Sequence, residues 1–111
     1  MIRYDGRRFA LVSASGDGDV DGATRFDYRQ QGGVVWATYR GGGVRMGTLV
    51  ATVDRDGGLD MRYSHVDASG ALRSGSCRSV PEVLPDGRLR LHEVWEWADG
   101  SGSGTSVLEE V

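Results

Sequence analysis

Short turn-forming stretches cut this chain at near-regular intervals: Gln31-Gly32-Gly33, Gly41-Gly42-Gly43, Arg55-Asp56-Gly57, Ala68-Ser69-Gly70 and Pro85-Asp86-Gly87. Between them the residues alternate apolar and polar with period two, the pattern of a strand with one face buried. Eighteen glycines in 111 residues serve this punctuation rather than a low-complexity tract. No window of ten or so residues carries a helical apolar repeat. The chain therefore reads as all-β with almost no helix, in one domain spanning 1–111.

Eight strand-like segments follow from the turns: 8–13, 24–30, 34–40, 44–54, 58–67, 71–83, 88–97 and 105–110. Pro85-Asp86-Gly87 suits a three-residue hairpin loop, with proline presetting φ and glycine supplying the left-handed residue. That loop pairs Val83 with Leu89, Ser79 with Glu93 and Cys77 with Trp95. The Ala68-Ser69-Gly70 loop pairs Cys77 with Met61, Gly75 with Tyr63 and Arg73 with His65. The Arg55-Asp56-Gly57 loop pairs Val53 with Leu59 and Leu49 with Tyr63. A two-residue Gly41-Gly42 turn sets Trp36 across from Gly47, where the missing side chain leaves room for an indole. A slip of one residue would reverse every side chain of the next strand, so the turns select a face.

The inward set is Phe9, Leu11, Phe26, Tyr28, Val34, Trp36, Thr38, Leu49, Ala51, Val53, Leu59, Met61, Tyr63, His65, Cys77, Ser79, Val83, Leu89, Leu91, Glu93, Trp95 and Trp97. In the last segment Val107 and Leu108 are both eligible. Eight strands joined by short hairpins, with one apolar face, predict an antiparallel up-and-down (meander) barrel. A two-sheet sandwich would need Greek-key crossovers that these hairpins do not supply.

Composition limits the partners. A net charge of −3 and a pI near 5.3 argue against nucleic acid. One cysteine, Cys77, rules out an internal disulfide framework and fits a reducing, cytoplasmic setting. The opening Met-Ile-Arg-Tyr-Asp-Gly lacks an apolar run, so neither signal peptide nor membrane anchor is expected.

Asp60-Met61-Arg62-Tyr63, Leu91-His92-Glu93-Val94-Trp95-Glu96-Trp97 and Gly104-Thr105-Ser106-Val107-Leu108-Glu109-Glu110 resemble a family of small bacterial avidin-like (calycin-type) barrels. The likeness extends to Tyr4-Asp5-Gly6, Gly47–Asp54 and Pro81–Gly87. It implies an avidin- or lipocalin-like barrel of unestablished function, often labelled N-acetylglutamate synthase. Acetyl transfer of the usual kind needs a glycine-rich turn feeding a helix N-terminus to hold pyrophosphate, and no such helix is predicted. The Gly-Thr-Trp opening of biotin binders is absent, so the likeness is architectural and does not by itself give a function.

The loops at 15–22 and 99–104 mark one end of the barrel as its mouth. Thr38, His65, Trp95 and Trp97 lie toward it, with Trp36, Tyr63 and Glu93 one layer deeper. Aromatic walls with a few placed polar groups are how small barrels hold small molecules. These seven residues are the candidate ligand site, for binding without catalysis and without a cofactor. The alternative is a structural or protein-interaction barrel whose interior is filled, with Glu93 satisfied by Ser79 or a tyrosine and His65 by water.

No second acid suggests glycosidase chemistry and nothing marks a nucleophile. Cys77, opposite Met61 and Trp95, sits where a thiol is inert. Asp17-Gly18-Asp19-Val20-Asp21-Gly22 matches the opening of a calcium loop. It carries Tyr28 where the closing glutamate belongs, so a solvated acidic turn is the plainer reading. His65 and His92 face opposite ways and have no cysteine or acid at ligand spacing, which argues against a zinc site. Outside, Val35, Ala37 and Tyr39 beside Met46, Thr48, Val50 and Thr52 predict a homodimer through the outer face of strands 3 and 4, with an ordinary exposed sheet face as the alternative.

Overall fold

The computed structural model describes residues 2–111 and contains no helix among them. Eight strands run β1 (Arg8–Ser15), β2 (Arg25–Gln31), β3 (Val34–Gly41), β4 (Val44–Val53), β5 (Leu59–Asp67), β6 (Leu72–Val83), β7 (Leu89–Trp97) and β8 (Ser103–Glu110). Each pairs antiparallel with the next, and β1 pairs with β8, so the sheet is a closed barrel in simple sequential order. Closure gives every strand a paired neighbour on both sides, which is how a meander of this size protects its backbone donors and acceptors.

The hairpin loops hold the predicted register over half the barrel. In the 85–87 loop, Leu84 N donates to Arg88 O at 2.8 Å and Gly87 N to Leu84 O at 2.9 Å. The 55–57 and 68–70 loops repeat these two bonds from Asp54 and Asp67. Both aspartates also accept backbone N–H groups of their own turns, Asp54 from Asp56 and Gly58, Asp67 from Ser69 and Ala71. Gly57 and Gly87 close their turns at φ 86° and 88°, a region where a Cβ is strained. The resulting pairs, Val53 with Leu59, Met61 with Cys77 and Ser79 with Glu93, are those the turns predicted.

β3 is the exception, and it is turned over. Tyr39, not Trp36, lies opposite Gly47, while Trp36 pairs with Val50. The turn falls on Gly42-Gly43 rather than Gly41-Gly42, and a bulge between Tyr39 and Gly41 adds a further shift. The two displacements together are odd in residue number, so every side chain of β3 changes sides. Val35, Ala37 and Tyr39 are buried; Val34, Trp36 and Thr38 face outward, with Trp36 39% exposed. The space above Gly47 is indeed filled by an aromatic ring, because a Cβ there would overlap Tyr39. Val83 is the other misplaced residue: it sits on the inward phase of β6 but beyond the end of the barrel, and is 59% exposed. In β8 the buried residue is Leu108.

The end with the tight turns is closed by the segment before β1. Tyr4 is fully buried; its N–H donates to Gln30 Oε1 at 2.8 Å and its hydroxyl to the Gly57 carbonyl. Its ring lies 5.9 Å from that of Tyr28, in one buried cluster with Phe9, Leu59, Leu89 and Leu91, which fill the lower barrel. Fully burying such side chains contributes about 1.5–3 kcal/mol each.

The register of β3 is open to a direct check. Gly47→Ala forces a methyl into the Tyr39 ring and should cost about 1–3 kcal/mol, the usual penalty of overpacking. Trp36→Ala, on the outer face, should cost about 1 kcal/mol or less. Urea unfolding followed by circular dichroism ranks them, and the opposite order would restore Trp36 to the interior.

Candidate functional site

Above the packed lower barrel lies a cavity of about 110 Å³. β7 supplies its odd member. Leu89, Leu91, Glu93, Trp95 and Trp97 share one face of this strand, so the alternation that builds the core also carries a carboxylate into it. Glu93 Oε1 accepts a hydrogen bond from Ser106 Oγ at 3.0 Å. Glu93 Oε2 is buried with no partner, and so are Tyr28 Oη and Ser79 Oγ. Ser79 stands directly opposite Glu93 in the ladder yet falls short of hydrogen-bond geometry. Burial pushes the Glu93 carboxyl up to about 7, with the Ser106 hydroxyl and, less strongly, the Ser79 hydroxyl beside it pulling the other way.

Three wide aromatic side chains are accommodated by glycines across the ladder. Tyr39 lies over Gly47, Tyr63 over Gly75 and Trp95 over Gly104; in each pair a Cβ on the glycine would overlap the ring. Phe26 stacks on Tyr39 at 4.7 Å between centroids, and Trp95 meets Trp97 edge-on at 5.6 Å. These rings form the walls, and all of them line the cavity.

The mouth is covered by residues 16–24, which connect β1 to β2. Asp19 Oδ2 lies 2.8 Å from His65 Nε2 and 3.2 Å from Arg73 Nη1. On its other side, His65 Nδ1 is 2.9 Å from the Tyr39 hydroxyl. A carboxylate only accepts, so Nε2 carries a proton toward Asp19, and the Tyr39 hydroxyl pairs with Nδ1 on the other side of the ring. Trp97 Nε1 donates to the Asp17 carbonyl at 3.3 Å, and the Arg73 guanidinium lies 3.7 Å from the centroid of the Trp97 ring. At the far side of the lid, Asp21 Oδ2 accepts from Gly43 N at 3.1 Å, and the buried Thr24 donates to the Gly41 carbonyl.

Of the seven residues expected here, Tyr63, His65, Glu93, Trp95 and Trp97 line the cavity. Trp36 and Thr38 do not, because the inversion of β3 puts them on the outer face. Tyr39 takes their place, and Gly47 was the signal that could have found it. Tyr28 was assigned inward but not to the site, and Asp19, Val20 and Ser106 were missed. No sequence period connects a lid aspartate to a histidine 46 positions away.

The acidic loop is exposed at Asp17, Gly18, Asp21 and Gly22, as a solvated turn would be, but Asp19 and Asp21 are also engaged by protein partners. Among the described residues no three histidine, cysteine or acidic side chains cluster as a metal site would require. Cys77 lines the cavity between Met61 and Trp95, and burial pushes its thiol far above the range where thiolate forms. Both His65 nitrogens are engaged away from Glu93, so the two form no acid–base pair. The arrangement can hold an apolar body with one polar end; it offers no activated nucleophile.

Comparison with protein-family models matches the avidin-like protein family over residues 2–111. No curated protein and no solved structure matches.

The unusual carboxyl makes a pH prediction. Between about 4.5, its ordinary value, and about 7, the folded chain holds a proton on Glu93 that the unfolded chain releases. Stability from this group is therefore full below the ordinary value, falls as pH rises through that window, and is flat above it. The loss amounts to at most about 3 kcal/mol. Glu93→Gln should match the parent near pH 4.5 and exceed its melting temperature at pH 8. Thermal unfolding at several pH values checks this, and a variant less stable at both extremes would show that the carboxyl is a structural plug.

Proposed function

The chain belongs to the avidin-like protein family, and from that premise we propose that its barrel binds a small molecule in the upper cavity without transforming it. The observation that carries this reading is the cavity floor. Glu93 and Tyr28 each place a buried polar atom without a protein partner on the lining of a space of about 110 Å³ walled by aromatic rings, and Ser79, opposite Glu93 in the ladder, carries a third such atom. A filled structural barrel satisfies its buried polar groups, since each one left unpaired costs about 1–3 kcal/mol. The absence of any helix among the described residues leaves no helix N-terminus for a pyrophosphate, which favours binding over acetyl transfer.

The tryptophans give the test. Trp95 and Trp97 line the cavity while Trp36 lies outside, so Trp36→Phe removes the emission that a bound ligand would not touch. Compounds from a small-molecule screen should shift the fluorescence of this variant as they do the parent. At a hundredfold excess over Kd they should stabilise the fold by about 2.7 kcal/mol. A screen in which neither emission nor melting temperature moves would overturn the reading.

One observation favours an added role for the outer face. The composition expected of the dimer patch is overturned, since Val35, Ala37 and Tyr39 point inward. In their place Val34, Trp36, Met46 and Val50 are exposed on the same two strands, with Trp36 directly beside Val50. Self-association through this apolar surface remains the proposal for strands 3 and 4. A sedimentation concentration series should show dimer that Trp36→Arg reduces; monomer throughout would remove it.

A further inference from the structure

The ligand's chemistry can be narrowed from the cavity itself, on the premise that the cavity is a binding site. We propose that it takes a compact organic cation, a primary ammonium on an apolar skeleton, whose N–H groups hydrogen-bond the free carboxylate oxygen of Glu93. Three observations point this way.

The first is the set of unpartnered atoms. Glu93 Oε2, Tyr28 Oη and Ser79 Oγ are all able to accept, and all are buried without a partner. An ammonium brings three donors and no acceptor, so one head group can answer the two of these residues that line the cavity, Glu93 and Tyr28. A carboxylate or carbonyl ligand would bring acceptors to meet the free oxygen of a carboxylate. Tyr28 lines the same cavity as Glu93, close enough for the Glu93 charge to raise its hydroxyl pKa, while Ser79 faces Glu93 across the ladder outside the cavity lining.

The second is the lack of an internal counter-ion. Every one of the thirteen basic residues is an arginine, and none forms an ion pair with Glu93 among the described residues. Arg73, at the mouth, is held by Asp19 and stacked on Trp97. A buried carboxylate without a cation is costly to ionise, and a ligand that carries the cation in removes that cost. The rings of Tyr63 and Trp95 that wall the space favour a cation over an anion.

The third is size. A dry cavity of about 150 Å³ accepts the six carbons of benzene, so one of about 110 Å³ suits a ligand of no more than about six heavy atoms.

Binding then depends on the ionisation of Glu93. The groups facing it are Tyr4 from the segment before β1, Tyr28 from β2, Tyr39 from β3, Tyr63 from β5 and Cys77 from β6; burial raises all of them, so that they stay neutral through the physiological range. β1, β4 and β8 present Leu11, Leu49, Leu108 and the neutral Ser106. His65 and Asp19 stand at the mouth with Arg73, and their contribution is separated by a variant that removes only the Glu93 charge.

Isopentylamine, isopentanol and isovalerate share a branched carbon skeleton and differ in head group, so tryptophan fluorescence titrations with the three decide the matter. The amine should bind most tightly at pH 8. Its affinity should fall about tenfold per pH unit below the Glu93 titration and be level above it. In Glu93→Gln the amine should lose tenfold or more in affinity, together with that pH slope. An alcohol or acid that binds at least as tightly as the amine at pH 8, or an amine unaffected by Glu93→Gln, overturns the cation while leaving the cavity a binding site. If none of the three binds and benzene does not either, the binding reading falls with it.

Discussion

The interior of an eight-stranded barrel is narrow, and the whole upper half of this molecule depends on how it fits large rings into that width. Tyr39, Tyr63 and Trp95 each lie flat over a glycine on the neighbouring strand, at Gly47, Gly75 and Gly104. Without those glycines the rings would have to stand into the lumen and fill it. With them, the rings become walls and a space remains between them. The cavity is thus a consequence of three missing side chains, chosen strand by strand.

That space makes Glu93 intelligible. Lower in the barrel the same face of β7 carries Leu89 and Leu91 among tightly packed apolar neighbours, where a carboxylate could not be tolerated. One layer up, next to the cavity, its cost is reduced by the Ser106 hydroxyl and by protonation. The unpaired oxygen is a local conflict with the apolar core around it. Conflicts of this kind concentrate where a protein does its work.

The lid binds these features to the barrel mouth. β1 and β2 share only three register pairs, from Arg8 to Ala10, so this is the shortest seam of the sheet. Where the strands part, residues 16–24 fold inward and are fastened by Asp19 to β5 and β6 and by Asp21 to the β3–β4 turn. The same stretch that resembles a calcium loop thus uses its acids to hold the mouth covered. The pairing of His65 with Tyr39 ties the lid to the very strand whose register the turns misjudged.

How much of this was legible follows from what each residue type can specify locally. Period-two alternation and glycine-bearing turns determined eight strands, their order, the barrel, and the facing of every strand where a three-residue loop has one sterically favoured form. They also placed Tyr63, His65, Glu93, Trp95 and Trp97 on the inner face, because those strands follow such loops. Three consecutive glycines at 41–43 carry no such preference, since any of them can take the turn conformation. There only the competition of Trp36 and Tyr39 for the space over Gly47 decided the register. Tertiary structure also decided the lid and the orphan oxygen of Glu93, for the same reason: contacts between residues far apart in the chain leave no trace in local periodicity, and are settled only when the barrel closes.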